Sequence, residues 1–129
     1  MTDRTDRGAL ALAGLLAFAG VTHLTRPRFY DPIVPRSLPG PARFWTYVSG
    51  VAELAVAAAV THPATRRAGG SAAAALFVGV FPANVRMAMD WRHQGTARRA
   101  VAFGRLPLQV PLVWWAVRVA RAAPAGRRR

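Results

Sequence analysis

The sequence predicts an all-α protein, an integral membrane four-helix bundle with a proline-rich interfacial loop between the first two helices. Three observations carry this. Apolar runs occupy residues 8–24, 44–60, 70–91 and 103–120, each about 17–22 residues against the roughly 20 that cross a bilayer. The arginines gather between and beyond these runs, as the loops of a membrane protein would hold them. Hydrophobic residues make up 53% of the chain although its formal charge is +13, a pairing that suits apolar spans with basic connections. Residues 1–129 form one domain, closed by a basic tail over 121–129.

The charge does not indicate nucleic acid, because four apolar runs leave no room for a soluble reading domain. All 18 basic residues are arginine, which reads as coding bias rather than chemistry. The absence of cysteine excludes disulfides, Cys-based zinc sites and thiol catalysis.

The first run follows a polar start in which Arg4 and Arg7 stand against Asp3 and Asp6. Ala17-Phe18-Ala19 mimics a secretory cleavage site, but three more apolar runs follow, so the segment is read as a retained anchor. Gly14, Ala17 and Gly20 would let a neighbouring helix approach closely. Thr25 to Arg43 holds prolines at 27, 32, 35, 39 and 41, which rule out a continuous helix. Phe29, Tyr30, Ile33, Val34 and Leu38 make it too apolar for a free linker. It reads as an interfacial segment, either a lid over a pocket mouth or a stiff surface loop.

The second run carries one acid, Glu53, near its middle. An ionisable group there costs about 2.5–3.5 kcal/mol on insertion scales and must face protein or water. Ser49 stands four residues earlier on the same face, and Gly50 on the adjoining strip can admit a neighbouring backbone. Pro63 ends the helix at His62; His62 is expected in solvent, and Arg66 and Arg67 make a short basic turn. The third run contains Pro82, which permits a kink, and then Asn84, Arg86 and Asp90. Asn84 is interhelical glue or a ligand contact, and Arg86 and Asp90 can pair across one turn. His93 falls in a solvated connection. Pro107 and Pro111 imply that the fourth run is bent in its first half or begins late, with Gln109 between them. One of Trp114 and Trp115 should pack inward and the other face lipid. Arg118, Arg121 and Arg127-Arg128-Arg129 favour anionic headgroups.

Both termini are placed on the cytoplasmic side, because Arg4 and Arg7 precede the first span and the Arg66-Arg67 turn is short and basic. The arginines of the other connections oppose this. In that orientation His23, Glu53, Asn84, Arg86, Arg105 and Gln109 gather in the outer half, a natural place for a pocket opening outward beneath the proline loop. His23 has no second ligand at a convincing spacing, so no metal is expected.

An ordered set of short motifs then stands out: Gly20-Val21-Thr22-His23, Pro27-Arg28-Phe29-Tyr30, Ile33-Val34-Pro35 with Leu38-Pro39, Ser49-Gly50 with Glu53, Phe81-Pro82-Ala83-Asn84 with Met87-Ala88, and Leu106-Pro107-Leu108-Gln109. From about residue 14 to 116 the chain resembles the DoxX-like family of small four-helix membrane proteins. The resemblance implies a multi-pass protein of the bacterial plasma membrane. It associates some relatives with quinone-linked oxidation or with redox partner complexes, so quinone is the cofactor it suggests and a redox protein the partner. It supplies no reaction and no assigned catalytic residue.

Three functional readings follow. In the first, the chain is a small-molecule-binding or accessory subunit of a redox system. Its candidate pocket is His23, Tyr30, Ser49, Glu53, Asn84, Arg86 and Gln109. Glu53 and His23 would exchange protons, Arg86 would steady an anion, and Asn84 and Gln109 would hold carbonyl oxygens. In the second, it is a small proton-coupled transporter, although in small multidrug exporters the key acid lies in the first helix. In the third, it is a structural subunit in which Ser49, Asn84 or Arg86 holds Glu53 as packing glue. Its partners are the lipid bilayer and, in these roles, a redox protein or further copies of itself.

Overall fold

The computed structural model describes residues 2–124, with the side chains of Thr2 and Asp3 left aside. The Arg127-Arg128-Arg129 tail and any pairing of Asp3 lie outside the described residues. Four α-helices make up the fold: α1 (Thr2–Thr25), α2 (Ala42–Thr61), α3 (Arg66–Trp91) and α4 (Thr96–Ala122). Two 3-10 turns, Pro27–Phe29 and Asp31–Ile33, interrupt the loop between α1 and α2. No strand occurs among the described residues. All four helices are long and apolar enough to cross a membrane.

Each boundary has a local cause. α1 stops at Thr25 because Arg26 precedes Pro27 and is held outside helical geometry. α2 starts directly after Pro41 and stops at His62, whose extended backbone precedes Pro63. α3 begins at Arg66, before the apolar run starts. α4 begins at Thr96 and contains both Pro107 and Pro111. The expected late start of the fourth helix is therefore corrected. Hydropathy marks the stretch that can face hydrocarbon and says little about polar helical ends. A long helix also tolerates proline where neighbouring helices supply the lost partners.

The helices close a ring in chain order, with α1 most tightly against α2 and α3 against α4. Glycines set those two tight approaches. A Cβ on Gly20 would stand 2.8 Å from the Gly50 carbonyl oxygen, and one on Gly70 would stand 2.7 Å from the Ala120 nitrogen. Gly14, expected to act likewise, faces open space.

The terminal end of the bundle is a continuous core of Leu12, Leu16, Val60, Ala73, Phe77, Ala116 and Val119. The loop end has a smaller cluster, Met87, Ala88 and Ala102, with Ile33, Trp91 and Leu106 packed on it. Large apolar side chains instead populate the outside: Val110 is 72% exposed, Phe18 70% and Val51 59%. This distribution suits a bundle whose surroundings are apolar, where small residues bring helices together and large ones meet lipid. The two tryptophans divide as expected. Trp115 Nε1 donates to the Gly8 carbonyl across to α1 at 3.1 Å, while Trp114 is exposed beneath Arg118.

The Arg66 side chain is buried. Nε donates to Val60 O at 2.9 Å, Nη2 to Thr61 O at 3.0 Å and Nη1 to Asp6 at 2.6 Å. It thereby satisfies carbonyls that the end of α2 leaves open and ties the α2–α3 turn to α1. Arg67 alone of the pair is exposed.

Candidate functional site

The Gly20–Gly50 crossing brings α1 and α2 backbones together one turn from two ionisable side chains. A Cβ at Gly50 would meet the His23 Cβ at 2.9 Å. With the helices this close, His23 of α1 reaches Glu53 of α2, and Nδ1 stands 3.0 Å from Oε2. Both side chains are largely buried, at 14% and 15% exposure.

The same nitrogen lies 2.6 Å from the carbonyl oxygen of Ala19. A carbonyl only accepts, so Nδ1 must carry the proton and direct it at Ala19. Glu53 Oε2 is then within ion-pair distance of the ring but off its N–H axis. It is buried with no hydrogen-bond partner among the described residues. Ser49 sits half-buried one turn away and makes no hydrogen bond to that oxygen.

The loop covers this pair. Tyr30 stacks on the His23 ring with centroids 3.6 Å apart and planes at 19°. Its hydroxyl shares a 2.7 Å hydrogen bond with Thr22 Oγ1, whose own hydroxyl reaches the Ala19 carbonyl. The loop is also fastened to the start of α2. Asp31 accepts from Thr46 at 2.7 Å and from Arg43 at 3.0 Å, and Trp45 Nε1 donates to Pro39 O at 2.7 Å. The little burial at Asp31 works to raise its carboxyl, but the Thr46 hydroxyl and the Arg43 guanidinium outweigh it and hold the group below its ordinary value. The segment is thus both a stiff loop and a cover. Sequence reasoning missed Thr22, Asp31 and Thr46; Thr46, alternating with apolar neighbours on a helix, carries no signal of its partner.

The other candidate residues form separate groups. Asn84 of α3 donates to Gln109 of α4 at 3.2 Å, both buried. Gln109 in turn donates to the Phe77 carbonyl of α3. Gln109 lies half-way along α4 because that helix starts early. This is the interhelical glue expected of Asn84. Arg86 and Asp90 pair at 3.4 Å, both exposed. Neither Asn84 nor Arg86 holds the Glu53 oxygen that lacks a partner. His62 and His93 are exposed, as expected.

A cavity of about 760 Å³ does lie beneath the proline loop, but it is lined by Asp31, Arg36, Arg86, Asp90 and Trp91 rather than by Glu53. An apolar groove of about 620 Å³ runs between α3 and α4 with Gln109 at its floor. Neither is lined by His23 or Glu53. Tyr30 occupies one face of the imidazole.

What the His23–Glu53 pair can do follows from its charges. Imidazolium with carboxylate and imidazole with carboxylic acid hold the same number of protons and are both neutral as a pair; they differ only in which group carries one of them. An apolar setting disfavours the singly charged alternatives. A proton can therefore shift between His23 and Glu53 without changing the net charge of the pair.

The model of the DUF8561 family, described as a domain of unknown function, matches residues 12–120. No curated protein and no solved structure matches the chain.

Proposed function

The chain belongs to the DUF8561 family, and we propose that within it this protein is a multi-pass membrane protein whose His23–Glu53 pair exchanges protons for a membrane redox system. It acts there as a small-molecule-binding or accessory subunit. The observation that carries this reading is the buried Oε2 of Glu53, 3.0 Å from His23 and without a hydrogen bond. Packing glue would satisfy that oxygen; a proton-exchanging group keeps a lone pair open. Tyr30 and the fastened loop cover the pair from the loop side.

The DoxX-like motifs point to the same setting, since His23, Tyr30 and Glu53 all lie within them. Quinone, the cofactor that the DoxX-like resemblance suggests, is the small molecule this reading carries forward. The Asn84–Gln109 network favours a structural role for α3 and α4, and a purely structural subunit is the competing reading. The bacterial plasma membrane, with both termini cytoplasmic, is the proposed location. The cysteine-free chain allows a direct test of orientation by labelling Ser37→Cys and Arg67→Cys from either side of intact cells.

Glu53→Gln and Glu53→Leu separate the readings in proteoliposomes. Gln keeps shape and hydrogen bonding but cannot exchange a proton. Loss of the redox phenotype with Gln supports the proposal; full function with Gln and loss only with Leu supports packing.

A further inference from the structure

We propose that the cavity beneath the proline loop seats the headgroup of a zwitterionic phospholipid bearing a primary ammonium group. This rests on the membrane placement above but not on proton exchange at Glu53.

Depth is the first argument. α3 has 26 residues, about 39 Å at 1.5 Å per residue, against a hydrocarbon core of about 30 Å. Centred in a bilayer, its last three or so residues pass the hydrocarbon boundary. Asp90 and Trp91 then lie at headgroup level. Arg86 is one turn deeper, and its Nε reaches upward to within 3.4 Å of Asp90. Trp91 is the residue type that favours this interface.

Charge is the second. The lining presents both signs: Arg86 on α3 and Arg36 on the loop face one cavity with Asp90. Asp31 also borders it, but its carboxylate is already held by Thr46 and Arg43. Asp90 meets Arg86 through Oδ1 alone, at 3.4 Å, so its second oxygen is the one left for a cation. The Arg86–Asp90 pair is exposed, with side chains 58% and 54% accessible, and a guanidinium with five N–H groups has donors to spare after one contact. A phosphodiester suits the two arginines. An ammonium one short linker away suits Asp90. An anionic headgroup would place Asp90 against negative charge, and a trimethylated ammonium would offer it no N–H.

The size is the third. A cavity of about 760 Å³ exceeds what the side chains fill and opens at the depth where headgroups already are.

The test uses the full chain in nanodiscs holding equal amounts of phosphatidylethanolamine, phosphatidylcholine and phosphatidylglycerol with identical acyl chains. Native mass spectrometry reads the retained lipid. The expected result is enrichment of phosphatidylethanolamine by roughly three- to tenfold, the effect of one charge-assisted hydrogen bond at a partly exposed site. Asp90→Asn should remove that preference, and Arg86→Gln should lower retention of all three lipids. Unchanged helicity by circular dichroism checks that each variant folds. Equal retention of the three lipids by the natural chain, or a preference that survives Asp90→Asn, overturns the inference. So does displacement by glycerophosphoethanolamine as effective as by the lipid, which would mark a soluble-ligand site. Carbonate extraction of cell membranes separates the two failures. A chain released by carbonate removes the membrane reading itself, whereas a retained chain that does not discriminate removes only the headgroup assignment.

Discussion

Each end of the bundle buries an ionisable side chain, and the two are treated in opposite ways. At the terminal end Arg66 has Val60 O, Thr61 O and Asp6 arranged around its guanidinium. At the loop end Glu53 has one histidine near it and an oxygen with no hydrogen bond. A buried charge that is fully partnered fixes geometry. One that is left partly open can change its state. The difference teaches where to look for function in a small helical bundle: not at the most buried charge, but at the least satisfied one.

Breaking the satisfied end should have the largest effect on stability. Arg66→Ala leaves two carbonyls at the end of α2 without donors and unties α1, and should lower unfolding stability in detergent by about 3 kcal/mol. Arg66→Lys should recover only part of this, because an ammonium cannot reproduce the planar fork.

Next comes the crossing that creates the open end. Gly20→Ala places a Cβ against the Gly50 carbonyl and Leu54, and overpacking of this kind costs about 1–3 kcal/mol. The informative result is geometric. The helices must part, so a distance measurement between α1 and α2 should lengthen and His23 should lose Glu53. An unaltered His23–Glu53 contact would show that the glycines do not set the site.

Tyr30→Phe removes the hydroxyl bond to Thr22 and keeps the stacking ring. It should lower stability by about 1 kcal/mol, while hydrogen exchange at the α1 C-terminus rises. The loop also carries a pH signature. Asp31 is held below its ordinary value of 3.8, so its contribution is complete above that value. It is lost as pH falls from there through the lower folded value. Exchange of residues 26–41 should accelerate below 3.8, and Asp31→Asn should show the faster exchange at neutral pH with no further acid step.

The division between the two ends was half legible in the sequence. Length and hydropathy are summed properties, so the four helices could be read directly, and a lone acid in an apolar run marks itself. The i, i+4 spacing of Arg86 and Asp90 is local, and the pair forms. Contacts set by how two helices cross were not legible in the same way. Ser49 shares a face with Glu53, yet the neighbour that matters, His23, comes from α1 by way of two glycines. Arg66 reads only as part of a short basic turn, because nothing local shows that Asp6, near the start of α1, closes around it. Proline was over-read in α4, where neighbouring helices tolerate Pro107 and Pro111.

Glu53→Gln should have the smallest effect on stability, within about 0.5 kcal/mol, since no hydrogen bond to Oε2 is lost. It is nevertheless the substitution on which the account turns. The direct measurement is a pH titration of the natural chain in lipid by infrared difference spectroscopy, with Glu53→Gln as the reference and histidine ring labels to follow His23. The account predicts a carboxyl band, absent from Glu53→Gln, that changes together with the His23 bands as one coupled unit. A Glu53 carboxyl that keeps one protonation state across the titration, or that changes independently of His23, would contradict it.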